Sequence, residues 1–225
     1  MAVVKDVPCG AETIATRHED AVARGRVPGG VDGLLDRLTG CTLCAERFAA
    51  TKTAHAPRPI FQIDPRARVL VAGQAPGMRV HQSGLPFDDP SGVRLRAWMG
   101  VSGEVFYDPA RVAIVPMGHC FPGYDAKGSD LPPPRICAET WRSEVLAALP
   151  NLALTLVIGQ YAQAWHLGPA PRGGVTARVA AWREGLPHIL ALPHPSWRNT
   201  AWLKRNPWFE AEVVPWLQRR LRALL

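Results

Sequence analysis

The segment VAGQAPGMRVHQSGLPFDD, Val71 to Asp89, begins as a strand and ends as a loop. Apolar, β-prone residues 69–72 break into Gly-Gln-Ala-Pro-Gly, which a regular sheet cannot continue through. His81, Phe87, Asp88 and Asp89 follow within a few residues. A short buried strand running into a Gly/Pro-rich loop with polar groups behind it has the order of a ligand-holding edge in an open α/β sheet.

The same pattern recurs along the chain. Short apolar runs at 69–72, 112–115, 152–158 and 189–192 have the length and composition of buried parallel strands. Helical stretches are expected between them, at 93–99, 138–149, 160–166 and 175–182. The alternation predicts an α/β domain with a mainly parallel sheet, its ligand beyond the carboxyl ends of the strands. Upstream, Gly25, Pro28, Gly29 and Gly30 punctuate the chain before an amphipathic run at 31–38. Residues 1–30 are therefore expected to form an arm and residues 31–225 a single domain. A last helix is expected over 207–225, where a proline in the first turn and Arg219, Arg220 and Arg222 near the end suit the helix dipole.

At 225 residues and 47% hydrophobic, the chain can bury one substantial core. A formal charge of +7 is compatible with a polyanionic partner. No apolar run of 18 residues and no signal-like segment stands out, so a cytoplasmic protein without membrane insertion is expected. In that setting five cysteines are metal ligands or free thiols rather than disulfides. Cys41 and Cys44 form C-x-x-C, Cys120 and Cys137 stand far downstream, and Cys9 is left over. Four thiolates would complete a zinc site or an iron–sulfur cluster. The other reading is a chance C-x-x-C with two buried cysteines acting as small hydrophobes.

After the fourth predicted strand comes PHPSWRNT, with His194 between two prolines that fix its backbone. Ser196, Arg198, Lys204 and Arg205 behind it are suited to gripping phosphate. Trp197, Trp202, Trp208 and Phe209 read as apolar anchors of the C-terminal helix.

GQAPG after a strand, GLPF shortly after, the upstream C-x-x-C, GHCFPG, RICAETW and LPHPSW occur together, in order, from about Cys41 to Asn206. In this the chain resembles the uracil-DNA glycosylase superfamily, in particular its iron–sulfur branches, families four and five. The resemblance implies a three-layer α/β/α fold around a four-stranded parallel sheet. It also implies a [4Fe-4S] cluster on Cys41, Cys44, Cys120 and Cys137, with Cys9 free, and excision of uracil from DNA after base flipping. On that reading His194 donates a hydrogen bond to the departing base, and Phe87 stacks on it. The backbone of Gln74 and Ala75 helps bind it, Gly77 lets the main chain approach, and Ser196 holds the DNA backbone. A monomer acting on uracil-containing or otherwise damaged DNA is expected.

The departures from the family pattern matter as much. Gln74 and Ala75 stand where relatives carry a catalytic acid or amide, so neither can act as a general base. FDDPSG then offers Asp89, or else Asp88, to activate water; the competing reading is a helix N-terminal cap. His81 stands where family four has an acid, a candidate for substrate contact. VPMGHC, residues 115–120, lacks the asparagine that reads uracil in family four, which predicts a broader base preference that takes in other deaminated or adducted bases. A damaged-DNA-binding member without catalysis is the alternative.

Overall fold

The computed structural model describes residues 27–225. Most of the expected arm and all of Cys9 lie outside the described residues.

Two helices, α1 (Gly30–Thr39) and α2 (Ala45–Ala49), precede the sheet. Strand β1 (Val69–Ala72) leads through the Gly-Gln-Ala-Pro-Gly turn into α3 (Met78–Ser83), α4 (Pro90–Met99) and α5 (Gly103–Phe106). Next come β2 (Val112–Ile114), a long loop, α6 (Arg135–Ala147), β3 (Leu154–Ile158), α7 (Gly159–Leu167), α8 (Gly174–Ala180) and β4 (Ile189–Leu192). The chain closes with α9 (Thr200–Arg205) and α10 (Val214–Leu224).

The sheet is parallel throughout, in the order β2-β1-β3-β4, with Val71 opposite Ile114 on one side and Leu156 on the other. Every strand residue is buried, because helices cover both faces. The period-2 alternation of strand side chains divides them between two apolar layers. Val69 and Val71 pack with Leu95 and Trp98 of α4 and Leu217 of α10. Leu70 and Ala113 pack with Leu34 and Leu38 of α1 and Trp141 and Val145 of α6. The result is the parallel α/β domain that the sequence pattern predicts, in the three-layer α/β/α form that the resemblance implies. Gln62 covers the free edge of β2, exchanging two 2.8 Å backbone hydrogen bonds with Ile114.

The expected C-terminal helix is modified. Phe209–Val213 is wound as a π-helical turn before α10, next to Pro215, which has no N–H to donate to residue 211. Among the described residues, no helix is long and apolar enough to cross a membrane.

Candidate functional site

A cleft of about 540 Å³ opens at the carboxyl edge of the sheet, walled by the loops that follow β1, β2 and β4. That volume lies in the range of small-ligand sites. The first wall is the opening segment. The carbonyls of Gly73 and Gln74 accept hydrogen bonds from Met117 and Gly118, each at 2.9 Å, which continues the β1–β2 pairing past the strands. Gln74, Ala75, Pro76 and Gly77 are thereby fixed along the cleft.

Phe87 lines the cleft in the left-handed backbone region, with φ 54, a conformation an aromatic residue adopts only when its surroundings impose it. Its ring meets Phe106 edge-on at 6.1 Å and rests over Gly73, where a β-carbon would stand 3.4 Å from it. Its carbonyl oxygen occupies space that a β-carbon on residue 92 would need, at 1.8 Å. Two residues on, Asp89 is the N-cap of α4, its Oδ1 accepting the Gly92 N–H at 2.8 Å, and it also lines the cleft. Asp88 is half-buried beside it and does not line the cleft.

His194 faces this wall from beyond β4. The Ser196 N–H donates to its Nδ1 at 3.2 Å, and Asn199 donates to its carbonyl at 2.7 Å. With Nδ1 accepting, the imidazole proton sits on Nε2. Burial lowers its pKa, Arg198 adding to that effect and Asp89 opposing it, which keeps the ring neutral at physiological pH. Arg94 of α4 donates to the Ser196 carbonyl at 3.0 Å and to Thr200 Oγ1 at 3.3 Å, so one helix holds both walls.

Ser196 and Arg198 line the cleft, whereas Lys204 and Arg205 lie exposed on α9 and do not. His81 is not in the cleft lining either. Its ring packs 5.1 Å from His55 and 5.8 Å from Phe121, with Nδ1 buried and without a hydrogen-bond partner. Trp202, Trp208 and Phe209 pack together at the C-terminal helix as expected, but Trp197 is 71% exposed at the cleft wall, with the Arg198 guanidinium 5.6 Å from its ring. A proline-framed loop points it outward where composition alone suggested an anchor.

Sequence reasoning missed Asp130, which lines the cleft from the loop after β2. Partial desolvation, with Asp89 adding, raises its pKa, and Arg198 opposes the rise. No motif marks this residue; the signal was an acid in a tight loop that follows the third cysteine.

Cys41, Cys44, Cys120 and Cys137 line a second, narrow cavity with Phe48, His119 and Trp141. Among the described residues, no three His, Cys, Asp or Glu side chains stand close enough to share one metal ion. A four-iron cluster asks for something different. Each thiolate binds its own iron, so the sulfurs spread wider than the roughly 4 Å spacing around a single zinc with Zn–S near 2.3 Å. The cavity wall also suits an anionic sulfur group. The Trp141 indole N–H is buried without a partner, and the His119 N–H donates to Cys137 Sγ at 3.4 Å. Arg142 is fully buried, its Nη1 donating to the Val115 carbonyl at 2.7 Å, its Nη2 meeting His166 Nε2 at 2.7 Å and its Nε unpaired. Burial lowers its pKa to about 9, so it is still charged at neutral pH, and among the described residues the acidic group acting on it is the Cys137 thiol. A buried cation needs a counter-charge. Without a metal, burial pushes Cys120 up to about 12 and Cys137 to about 11, which would leave both as neutral thiols. The donor set fits a thiolate-bound cluster.

Residues 60–218 match the family model of the uracil DNA glycosylase superfamily.

Gly92→Ala is expected to lose about 1–3 kcal/mol of stability or more, since the obstacle is backbone and cannot rotate away. Gly77→Ala, with open space at its β-carbon, is expected to change stability by less than about 0.5 kcal/mol. Urea denaturation of the pair checks both, and equal stabilities would contradict the close approach.

Proposed function

The chain belongs to the uracil DNA glycosylase superfamily, and from that premise we propose that it is a DNA glycosylase that hydrolyses the N-glycosidic bond of a flipped, deaminated base. The observation that carries this reading is the joint placement of His194, Phe87 and Asp89 in one cleft. The base would stack on Phe87, with its carbonyl oxygen against His194 Nε2–H. As the C1′–N bond breaks, its electron pair passes to the base, where the Nε2–H stabilises the developing anion. Water adds to C1′, and its proton passes to Asp89 through the carboxylate oxygen not engaged by Gly92. Exposed Trp197 with Arg198 at the cleft wall gives a stacking face and a cation for the DNA strand.

The Asp89 cap favours a second reading. One oxygen already serves α4, so this residue is present for a structural reason whether or not it activates water. A protein that binds damaged DNA without cleaving it would keep every other contact described. In an excision assay, His194→Ala and Asp89→Asn are each expected to slow single-turnover release of uracil by ~10²-fold or more while retaining binding. Lesion binding without an abasic product, in wild type as in Asp89→Asn, would favour the binder.

The cofactor in this proposal is a [4Fe-4S] cluster held by Cys41, Cys44, Cys120 and Cys137, supported by their shared cavity and by the buried, unpaired donors of Trp141 and Arg142. When bound, it supplies a covalent tie among the loop before α2, the loop after β2 and α6. Anaerobically purified protein is expected to carry about four iron and four sulfide per chain, with a visible absorption band that weakens on reduction. A colourless protein with one zinc, or unchanged iron content in Cys137→Ser, would count against it.

A further inference from the structure

The cleft of a basic protein that would receive a polyanion contains a carboxylate, Asp130, that no side chain there pairs. Among the described residues, no donor hydrogen-bonds it and no cation lies within ion-pair distance. Its placement is nonetheless firm. Tyr124 and Asp130 form an antiparallel bridge, and the Leu131 N–H donates to the Gly123 carbonyl at 2.9 Å. Within the loop, Asp125 Oδ1 accepts from the N–H groups of Lys127 and Ser129, each at 2.8 Å. A tightly tied hairpin thus presents a solvent-exposed acid, without a hydrogen-bonded side-chain partner, on the lining of the same cleft as Asp89, His194 and Arg198.

An acid there works against the phosphate backbone unless it meets a donor. Phosphates offer none, but bases do. Deamination changes one ring atom in a way a carboxylate can sense: N3 of cytosine and N1 of adenine are lone-pair acceptors, whereas uracil and hypoxanthine carry N–H at those positions. A carboxylate attracts the second kind and repels the first.

We infer that Asp130 is a specificity-determining residue that accepts a hydrogen bond from the ring N–H a base gains on deamination. The inference rests on the glycosylase reading and gives Asp130 the rejection of cytosine and adenine; thymine and guanine carry the same ring N–H, so other contacts of the cleft must exclude them. Unlike an amide, a carboxylate reads this proton without also demanding a fixed partner at the neighbouring exocyclic oxygen, so the ring system around it can vary.

The experiment compares wild type, Asp130→Ala and Asp130→Asn on oligonucleotides carrying uracil, hypoxanthine, cytosine or 3,N4-ethenocytosine at one position, by single-turnover excision and by equilibrium binding. Asp130→Ala is expected to lower excision of uracil and hypoxanthine by ~10- to 100-fold relative to ethenocytosine, which has no ring N–H to read. Asp130→Asn, whose amide can turn to donate, is expected to bind cytosine more tightly than wild type does. Equal losses on all bases would mark a structural role and overturn the inference, as would no loss. Should the wild type excise nothing, the glycosylase reading fails, and binding decides: a uracil-over-cytosine preference that Asp130→Ala abolishes supports the inference, and one it retains overturns it.

Discussion

The carbonyl oxygen of Phe87 lies where a β-carbon on residue 92 would stand, and the cleft is organised from that close approach. A side chain at 92 would collide with the Phe87 carbonyl, so glycine there lets the chain hold Phe87 in the left-handed region and start α4 at Pro90, three residues on. The same turn fixes Asp89, because the N–H that bonds its carboxylate belongs to Gly92. Further along α4, Arg94 reaches across to the Ser196 carbonyl, and the Ser196 N–H sets the tautomer of His194. Stacking ring, acid and imidazole are therefore three outcomes of how one helix begins.

Helix capping and catalysis are usually offered as competing explanations for an aspartate. Here they need not compete. A cap holds one carboxylate oxygen with a backbone N–H, and in doing so aims the other. Half-engagement is a sound way to hold a base that must accept a single proton. It also explains why Asp89 and its neighbour Asp88 differ: the cap residue is turned to the cleft, and the one before it is not.

The fold was legible because the strands are short continuous apolar runs, which both-face burial demands; 69–72 and 189–192 have the same bounds in sequence and structure. The loops at the carboxyl edge were legible because proline and glycine mark them, and Gln74, Phe87, Asp89 and His194 do meet in one cleft. What stayed hidden depends on distance along the chain. Asp130 gains its meaning from residues some forty and sixty positions away, and nothing in GYDAKGSD announces a direction. Arg142 looks like one more charge on an amphipathic helix, yet it is among the most deeply buried side chains. Trp197 looks like core and stands in solvent. His81 was drawn to the site by its place in the motif, but its ring packs into the aromatic group of His55 and Phe121.

The loop after β2 joins the two cavities. Pro116, Pro122 and Asp130 line the cleft, while Gly118, His119 and Cys120, from the same run of chain, line the cysteine cavity. The run has little secondary structure of its own, and its ties to β1 end at Gly118. Beyond that point the Ile60 N–H donates to the His119 carbonyl at 2.8 Å and His55 Nε2 meets the Phe121 carbonyl at 2.9 Å. A loop of this length reaching across two sites loses considerable entropy on ordering. A tie at Cys120, ten residues before Asp130, would shorten the free span to the Gly123–Leu131 hairpin, which closes itself. The proposed cluster would therefore matter to the cleft even without a chemical role, because it would add an anchor to the loop from which Asp130 projects.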